Sequence, residues 1–319
     1  MTSKNIYSLK NLGLPAMVSV DDFANESRLS SAKIRYLSAT ADLHYKVFSI
    51  PKVTGKSRLI SQPSRDLKAI QAWILRNILD KLSSSSCAKG FERGSSILDN
   101  ARPHIGSNYI LTIDLENFFP SIAASKIYGV FSSIGYNKQL SVLLTNLCTY
   151  KGGLPQGAPT SPKLANLVCA KLDSRIQGYA GPKGIVYTRY ADDMTFSANT
   201  ALKITKTKQF IGTIISDEDF KINSQKTVIS GTKKQKKVTG LILSENSLGI
   251  GRVKYREVRV KLHYLFTDKL SNFSYMNGML AYIYSVDKKS YNKLLSYIAK
   301  LKNKYPNSIA VNFINSKNK

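Results

Sequence analysis

The sequence is short of the residues that announce a metal cage, a disulfide scaffold or a membrane span. Its three cysteines, Cys87, Cys148 and Cys169, are odd in number and far apart. That spacing argues against a disulfide framework or a thiolate zinc site, and for a reducing, cytoplasmic setting. The three histidines, His44, His104 and His263, are equally scattered, so a histidine-built metal centre is not expected. No apolar run reaches the ~18 residues that a membrane-crossing helix needs, so no membrane association is expected. The opening stretch MTSKNIYSLKNLGLPAM lacks the apolar centre of a secretory signal. Scarcest of all are acidic side chains: 20 Asp and Glu stand against 47 Lys and Arg, a formal net charge of +27. Such a surplus repels itself and is tolerable mainly beside a polyanion. Nucleic acid is the first candidate, because each phosphate contact releases a condensed counterion. A solubility surface or anionic lipid is the alternative.

The 319 residues suffice for one large domain or two or three subdomains. The first 45 residues read as short helices, and residues 46–61 as a strand pair turning at Val53-Thr54-Gly55-Lys56. A helix follows over 66–82, with Leu67, Ile70, Ile74 and Ile78 at helical spacing. Residues 109–114 (YILTID) alternate as a strand that ends on a carboxylate. Helices are predicted over 121–134 and 137–150. A Gly/Pro loop spans 151–159, and Ser161-Pro162 starts a helix running to about residue 178. Two strands, 185–190 and 193–197, flank a tight Ala-Asp turn; a basic helix covers 202–216, and strands lie near 227–230 and 237–243. Beyond residue 251 the chain reads as three helices. Residues 226–319 hold 19 basic and 4 acidic residues, a composition shift that marks a subdomain boundary near 240–250.

Tyr190-Ala191-Asp192-Asp193 is the sharpest chemical feature. Aspartate is depleted in strands, and two adjacent carboxylates at a hairpin repel unless a cation sits between them. A divalent ion such as Mg²⁺ supplies that charge. One pair is too little for a two-metal site, so a third carboxylate is expected from a neighbouring strand end, and Asp114 is the candidate. A solvated turn would account for Asp192-Asp193 alone, and a helix N-terminal charge for Asp114 alone. The loop Leu154-Pro155-Gln156-Gly157-Ala158-Pro159-Thr160-Ser161-Pro162 adds a glycine that permits close backbone approach and a glutamine with both donor and acceptor.

Asp114 in IDLENFF, then LPQGAPTSP, then YADD, in that order, resemble the reverse transcriptase family. Asn100-Ala101-Arg102-Pro103-His104 is similar to the NAxxH element of retron reverse transcriptases, and Val238-Thr239-Gly240 to their VTG element. QPSRDLKAIQAWILRNILDKLSSS, LPQGAPTSPKLANLVCAKLDSRIQGYAG and YTRYADDMTFSA also resemble retron enzymes, so the likeness runs from about residue 8 to 305.

The resemblance implies an α+β, right-hand polymerase fold: fingers, a palm of antiparallel sheet plus helices, and a helical thumb. Fingers are expected over 1–105, with 124–152 contributing, the palm over 106–123 and 153–240, and a basic thumb or RNA-recognition region over 241–319. It implies two-metal DNA synthesis with two Mg²⁺ ions, Mn²⁺ being a possible substitute. Asp114 and Asp192 would bridge the ions, Asp193 would support them less directly, and the Leu115 carbonyl would reach the nucleotide-side ion. Phe119 would pack under the sugar, Arg58 and more weakly Lys56 would grip the triphosphate, Gln156 would touch the incoming nucleotide, and Lys226 would protonate pyrophosphate. Asn100, His104, Val238, Thr239 and Gly240 are expected to bind RNA. Arg252, Lys254, Arg256, Arg259 and Lys261 are expected to track its phosphates, with Tyr255 and Tyr264 stacking on bases. The implied partners are a cognate retron non-coding RNA, deoxynucleoside triphosphates and an effector protein in an antiviral system. The product would be msDNA, primed from an RNA 2′-hydroxyl. No acidic cluster follows residue 240, so template trimming is expected from a host RNase H. The competing readings are a group II intron-like reverse transcriptase and an RNA/DNA-binding scaffold that restrains an effector.

Overall fold

The computed structural model describes residues 9–51 and 57–311, so the predicted turn at 53–56 and Lys56 lie outside the described residues. Near the start lie α1 (Val20–Ser27) and α2 (Ser31–Ala39). Each begins on a serine whose hydroxyl accepts a backbone N–H, Ser19 from Asp22 and Ser30 from Lys33. The strands β1 (Tyr45–Pro51) and β2 (Ser57–Pro63) pair antiparallel, with Ile50 opposite Arg58. After them α3 (Arg65–Asn77), capped by Ser64, buries Leu67, Ile70 and Ile74.

Next come α4 (Ile97–Ala101), β3 (Tyr109–Leu115), α5 (Phe118–Ser121), α6 (Ala124–Ser133), α7 (Lys138–Cys148), α8 (Ser161–Val168) and α9 (Ala170–Ala180). They are followed by β4 (Val186–Tyr190), β5 (Asp193–Ala198), α10 (Ala201–Asp217) and β6 (Ile222–Ser230). These strands make one antiparallel sheet in the order β4-β5-β3-β6, with α9 beneath β4 and α10 beneath β3, β5 and β6. A small sheet of β7 (Lys236–Val238), β8 (Leu241–Leu243) and β9 (Leu248–Gly249) leads to α11 (Gly251–Phe266), α12 (Phe273–Val286) and α13 (Lys288–Lys304).

β3 is interior to the sheet, and its alternation serves two cores rather than one core and water. Leu111, Ile113 and Leu115 join a large core with Leu67, Ile74, Leu164, Met194 and Ile211. Ile110 points the other way, into a second core with Val238, Leu241, Val258, Leu262, Ile283 and Leu294. Ala101 is fully buried in that second core, and Ile97, Leu98 and Ile105 pack against it. The segment 97–105 therefore packs with the C-terminal helices, although the sequence reading placed it with the fingers.

Several predicted boundaries move for local reasons. The helix expected over 121–134 breaks at Ile122-Ala123, where Ala123 makes a bridge to Gly153. The helix expected from Ser161 to about residue 178 is interrupted at Cys169. The strand expected near 237–243 is a hairpin, because Thr239 and Gly240 take φ of +44° and +86°. Among the described residues no helix is long and apolar enough to cross a membrane.

Candidate active site

The sheet register brings the acidic residues together. On β3, Asp114 lies directly opposite Asp193 on β5, and the Leu115 N–H donates to the Asp192 carbonyl at 3.1 Å. Tyr190 pairs with Asp193, which leaves Ala191 and Asp192 as a two-residue hairpin loop. Ala191 holds φ at +58°, as the first loop position of a type II′ turn requires and as glycine usually supplies. Burial raises the Asp192 carboxyl above its usual range, and repulsion from Asp114 adds to it. Asp193 is pushed up to about 6, first by partial burial of its carboxylate and then by the Asp192 and Asp114 charges, although its outer edge is open to water. Lys226 Nζ sits 2.6 Å from Asp114 Oδ1, and Asn223 Nδ2 donates to Asp114 Oδ2 at 3.1 Å. That hydrogen bond raises the Lys226 ammonium, helped by the charges of Asp192 and Asp193.

Three carboxylates beside the Lys226 ammonium make a cluster of oxygen donors of net negative charge. Among the described residues no three acidic, histidine or cysteine side chains close into a cage around one ion. The trio expected from the sequence is therefore adjacent in register but not assembled as a ready ion cage.

Aromatic side chains wall one side. Phe118 is buried against Phe220, with centroids 6.0 Å apart, whereas Phe119 is only half-buried. Phe91 lies 6.1 Å from Phe119 and 6.4 Å from Tyr190, ring to ring. The sequence reading missed Phe91. Its signal was slight, an aromatic between Gly90 and Glu92 in a loop, and its φ of +62° is visible only in the fold. On the other side, the Ser61 N–H donates to the Gln156 carbonyl at 2.9 Å, fastening the Gly/Pro loop to β2. Exposed Arg58 lies on the same strand, near enough for its charge to act on Asp192.

The structure corrects the direct RNA-binding role expected of Asn100 and His104, because both are fully buried. His104 Nδ1 lies 2.7 Å from Ser197 Oγ and Nε2 lies 2.8 Å from Thr188 Oγ1. Thr188 donates to the Asn100 carbonyl, and Ser107 donates to Ser197. These bonds are jointly satisfied when Nε2 carries the proton and Nδ1 accepts from Ser197. The histidine thus ties β4 and β5 to the segment after α4. The Asn100 amide is buried without a protein partner for its oxygen or nitrogen, a place suited to an internal water. Val238 is also buried; Thr239 donates to the Ile97 carbonyl at 3.3 Å, and Gly240 alone of the three is exposed. Thr239 thus braces the start of the helix that leads into Asn100–His104.

Burial pushes the His104 imidazole down to about 4. An unfolded histidine titrates near 6.5, so between about pH 6.5 and 4 the unfolded chain holds a proton that the folded chain does not. Stability must fall as pH drops through that window, by at most about 3 kcal/mol. His104→Gln is expected to flatten this part of the pH dependence, read as the urea midpoint at pH 6.5 and 4.5. An identical slope in the variant rules the assignment out.

On α11, Arg252, Arg256 and Arg259 are exposed. Lys254 and Lys261 share Glu257 at 3.1 and 2.9 Å, and Arg259 lies over the Tyr297 ring at 4.5 Å. Val253 is 80% exposed; the inward face is Val258, Leu262, Leu265 and Phe266. Surface pairs at helical spacing are each worth only ~0.3–0.5 kcal/mol, so a phosphate can displace Glu257 at little cost.

Residues 50–243 match the family model described as Reverse transcriptase (RNA-dependent DNA polymerase). Among curated proteins, the chain is 54% identical over 303 residues to the Retron Ec86 reverse transcriptase of Escherichia coli, covering 94% of this chain and 95% of that one. It is 32% identical to the Retron Mx65 reverse transcriptase of Myxococcus xanthus, over 86% of this chain and 70% of the relative. It is also 32% identical to the Retron Ec83 reverse transcriptase of Escherichia coli, over 83% and 88%. The chain belongs to the reverse transcriptase family, and within it to the retron reverse transcriptases. It is an RNA-directed DNA polymerase with the α+β right-hand fold of that family; it works with divalent metal ions and binds an RNA template.

Proposed function

We propose that the protein copies its cognate structured RNA into DNA at the Asp114–Asp192–Asp193 cluster, starting from a 2′-hydroxyl of that RNA and giving branched msDNA. The observation that carries the site is the register that sets Asp114 opposite Asp193 at the tip of the β4–β5 hairpin. Asp114 and Asp192 would hold the two Mg²⁺ ions, with Asp193 and the Leu115 carbonyl as supporting donors. When bound, the ions supply Lewis-acid activation of the attacking hydroxyl and neutralise charge on the departing pyrophosphate. Protein side chains need form no bond to the substrate, so their work is orientation and charge complementarity. Arg58 takes the triphosphate and Gln156 faces the incoming nucleotide. Lys226, which lies 2.6 Å from Asp114 Oδ1, would give a proton to the leaving pyrophosphate.

Fingers over 1–105 and 124–152, a palm over 106–123 and 153–240, and a thumb over 241–319 remain our division of the chain, with 97–105 leaning on the thumb's core. Arg252, Lys254, Arg256, Arg259 and Lys261 track RNA phosphates there. The partners we assign, on the likeness to retron enzymes, are the cognate RNA, msDNA, an effector protein of an antiviral system and a host RNase H. Sequencing the nucleic acid that copurifies from the native locus tests this. A covalent RNA–DNA branch supports the reading, and unbranched RNA alone overturns it.

Phe119 is the sugar gate in this reading, since Phe118 is spent on the core. Phe119→Ala should raise ribonucleotide incorporation relative to deoxyribonucleotide by at least about tenfold, the worth of ~1.4 kcal/mol of lost exclusion. Unchanged sugar selectivity in primer extension removes the assignment.

A further inference from the structure

The hairpin that carries Asp192 and Asp193 rests on a buried polar lattice to which the polymerase reading gives no role. Arg189, two residues before Ala191 on β4, is fully buried. Its Nε donates to Asp173 Oδ1 at 2.8 Å and its Nη2 to Asp173 Oδ2 at 2.7 Å. Asp173, on α9, is equally buried and also accepts from the Tyr187 hydroxyl at 2.8 Å. The third guanidinium nitrogen, Nη1, donates to Asn166 Oδ1 at 3.0 Å and to the carbonyl of Ala191 at 3.2 Å. Asn166, on α8, donates in turn to the Gly90 carbonyl at 2.7 Å and to Glu92 at 2.8 Å.

A buried ion pair is a poor source of stability, because desolvation offsets most of its attraction, and an apolar pair of similar volume serves a core as well or better. An apolar pair cannot hold a carbonyl in place. The carbonyl held here belongs to the one residue of the hairpin loop whose backbone is strained, Ala191 at φ +58°. The neighbouring chain is fitted to the same spot. A Cβ on Gly90 would lie 2.8 Å from the Ala191 nitrogen and 3.2 Å from Tyr190 Cα. The Arg189 N–H donates to the Cys87 carbonyl at 2.8 Å and the Lys89 N–H to the Arg189 carbonyl at 2.7 Å, so this segment extends the edge of the sheet.

We propose that Arg189 is a positioning residue for DNA synthesis: its guanidinium fork, oriented by Asp173 and Asn166, clamps the Ala191 carbonyl and so fixes the strained turn that aims Asp192 and Asp193. This rests on the reading of those carboxylates given above. Arginine is needed because four acceptor oxygens on three residues must be met from one rigid plane.

Arg189→Lys keeps the charge beside Asp173, but its single nitrogen cannot also span Asn166 and Ala191. With the full chain, poly(rA)·oligo(dT) and dTTP, at a temperature where circular dichroism shows the variant folded, kcat should fall at least about tenfold. The KM for dTTP should stay within about threefold of the unaltered protein. Adding Ala191→Gly, which accepts φ +58° without strain, should recover most of that loss. A folded Arg189→Lys with kcat within about twofold of the unaltered protein overturns the proposal, as does a loss that Ala191→Gly leaves untouched. If Arg189→Lys does not fold, the double variant Asp173→Leu, Arg189→Met decides by the same kcat criterion, since it leaves no lone buried charge. Failure of both to fold makes the pair a folding element only and also overturns it. Asp192→Asn runs alongside. If it still extends the primer, the carboxylate reading itself has failed; if it is inert while Arg189→Lys is fully active, only the clamp has failed.

Discussion

Asp192→Asn is expected to lower primer extension by at least about a thousandfold, roughly 4 kcal/mol of transition-state stabilisation, while leaving the metal-free protein as stable as before or more so. The two effects share one origin. Asp192 is held above its usual pKa by burial and by Asp114, so at neutral pH its ionised form costs the folded state free energy that the unfolded chain does not spend. Asparagine removes that cost. It also removes a charged oxygen donor from the pocket, which neither Asp193 nor Lys226 can replace. Melting temperature without metal, measured at pH 7.5 and again near pH 5, separates this from general damage. The gap in favour of the variant should shrink at the lower pH, as carboxylates in the unaltered protein take up protons and their repulsion fades. Added Mg²⁺ should raise the melting temperature of the unaltered protein at pH 7.5 more than that of the variant. A variant that still makes DNA at near-normal rate sinks the assignment, whatever its stability.

Gly157→Ala should be damaging by another route. Gly157 sits at φ +135°, and a Cβ there would lie 2.9 Å from the Ser61 carbonyl oxygen and 3.2 Å from Ile60 Cγ2. Both the backbone angle and the neighbouring carbonyl resist a methyl group, and a carbonyl in a paired strand has little room to yield. The expected response is for the loop to lift off β2. That breaks the Ser61–Gln156 bond and displaces Gln156 from the strand that carries Arg58. We expect kcat/KM for the nucleotide to fall on the order of 100-fold, or about 2.7 kcal/mol, with KM taking much of the change. Steady-state kinetics with varied dTTP checks it, and a variant with unaltered KM and kcat shows that the loop does not position the nucleotide.

The nearness of Asp114 to the 192–193 hairpin was legible because Asp114 lies next to the end of one apolar strand and Asp193 starts another, and strand ends are legible from alternation. Phe119 was named from the likeness to the family alone; the fold adds that Phe118 is buried and Phe119 half-buried. The Arg189–Asp173 pair was hidden. Asp173 follows Leu172 on the inward side of a helix, and a charge at a core position was the only signal. The Thr239-Gly240 turn was read as strand, since Val and Thr favour strands and only the pairing of Val238 with Leu241 reveals the reversal. Asn100 and His104 were assigned to RNA binding on the likeness to retron enzymes. Whether these side chains meet water or a sheet depends on what folds over them from residues 188 and 197, far along the chain.

On the proposed assignment of RNA contacts to α11, the second core governs how that end could be exchanged between relatives. Ala101 and Ile110 lie buried with Val238, Leu262 and Ile283, so a graft made at residue 240 would join one protein's helices to another's seat. The unit to be matched is discontinuous: Ala101 and Ile110 must fit the incoming C-terminal helices, while His104 must keep its bonds to Thr188 and Ser197.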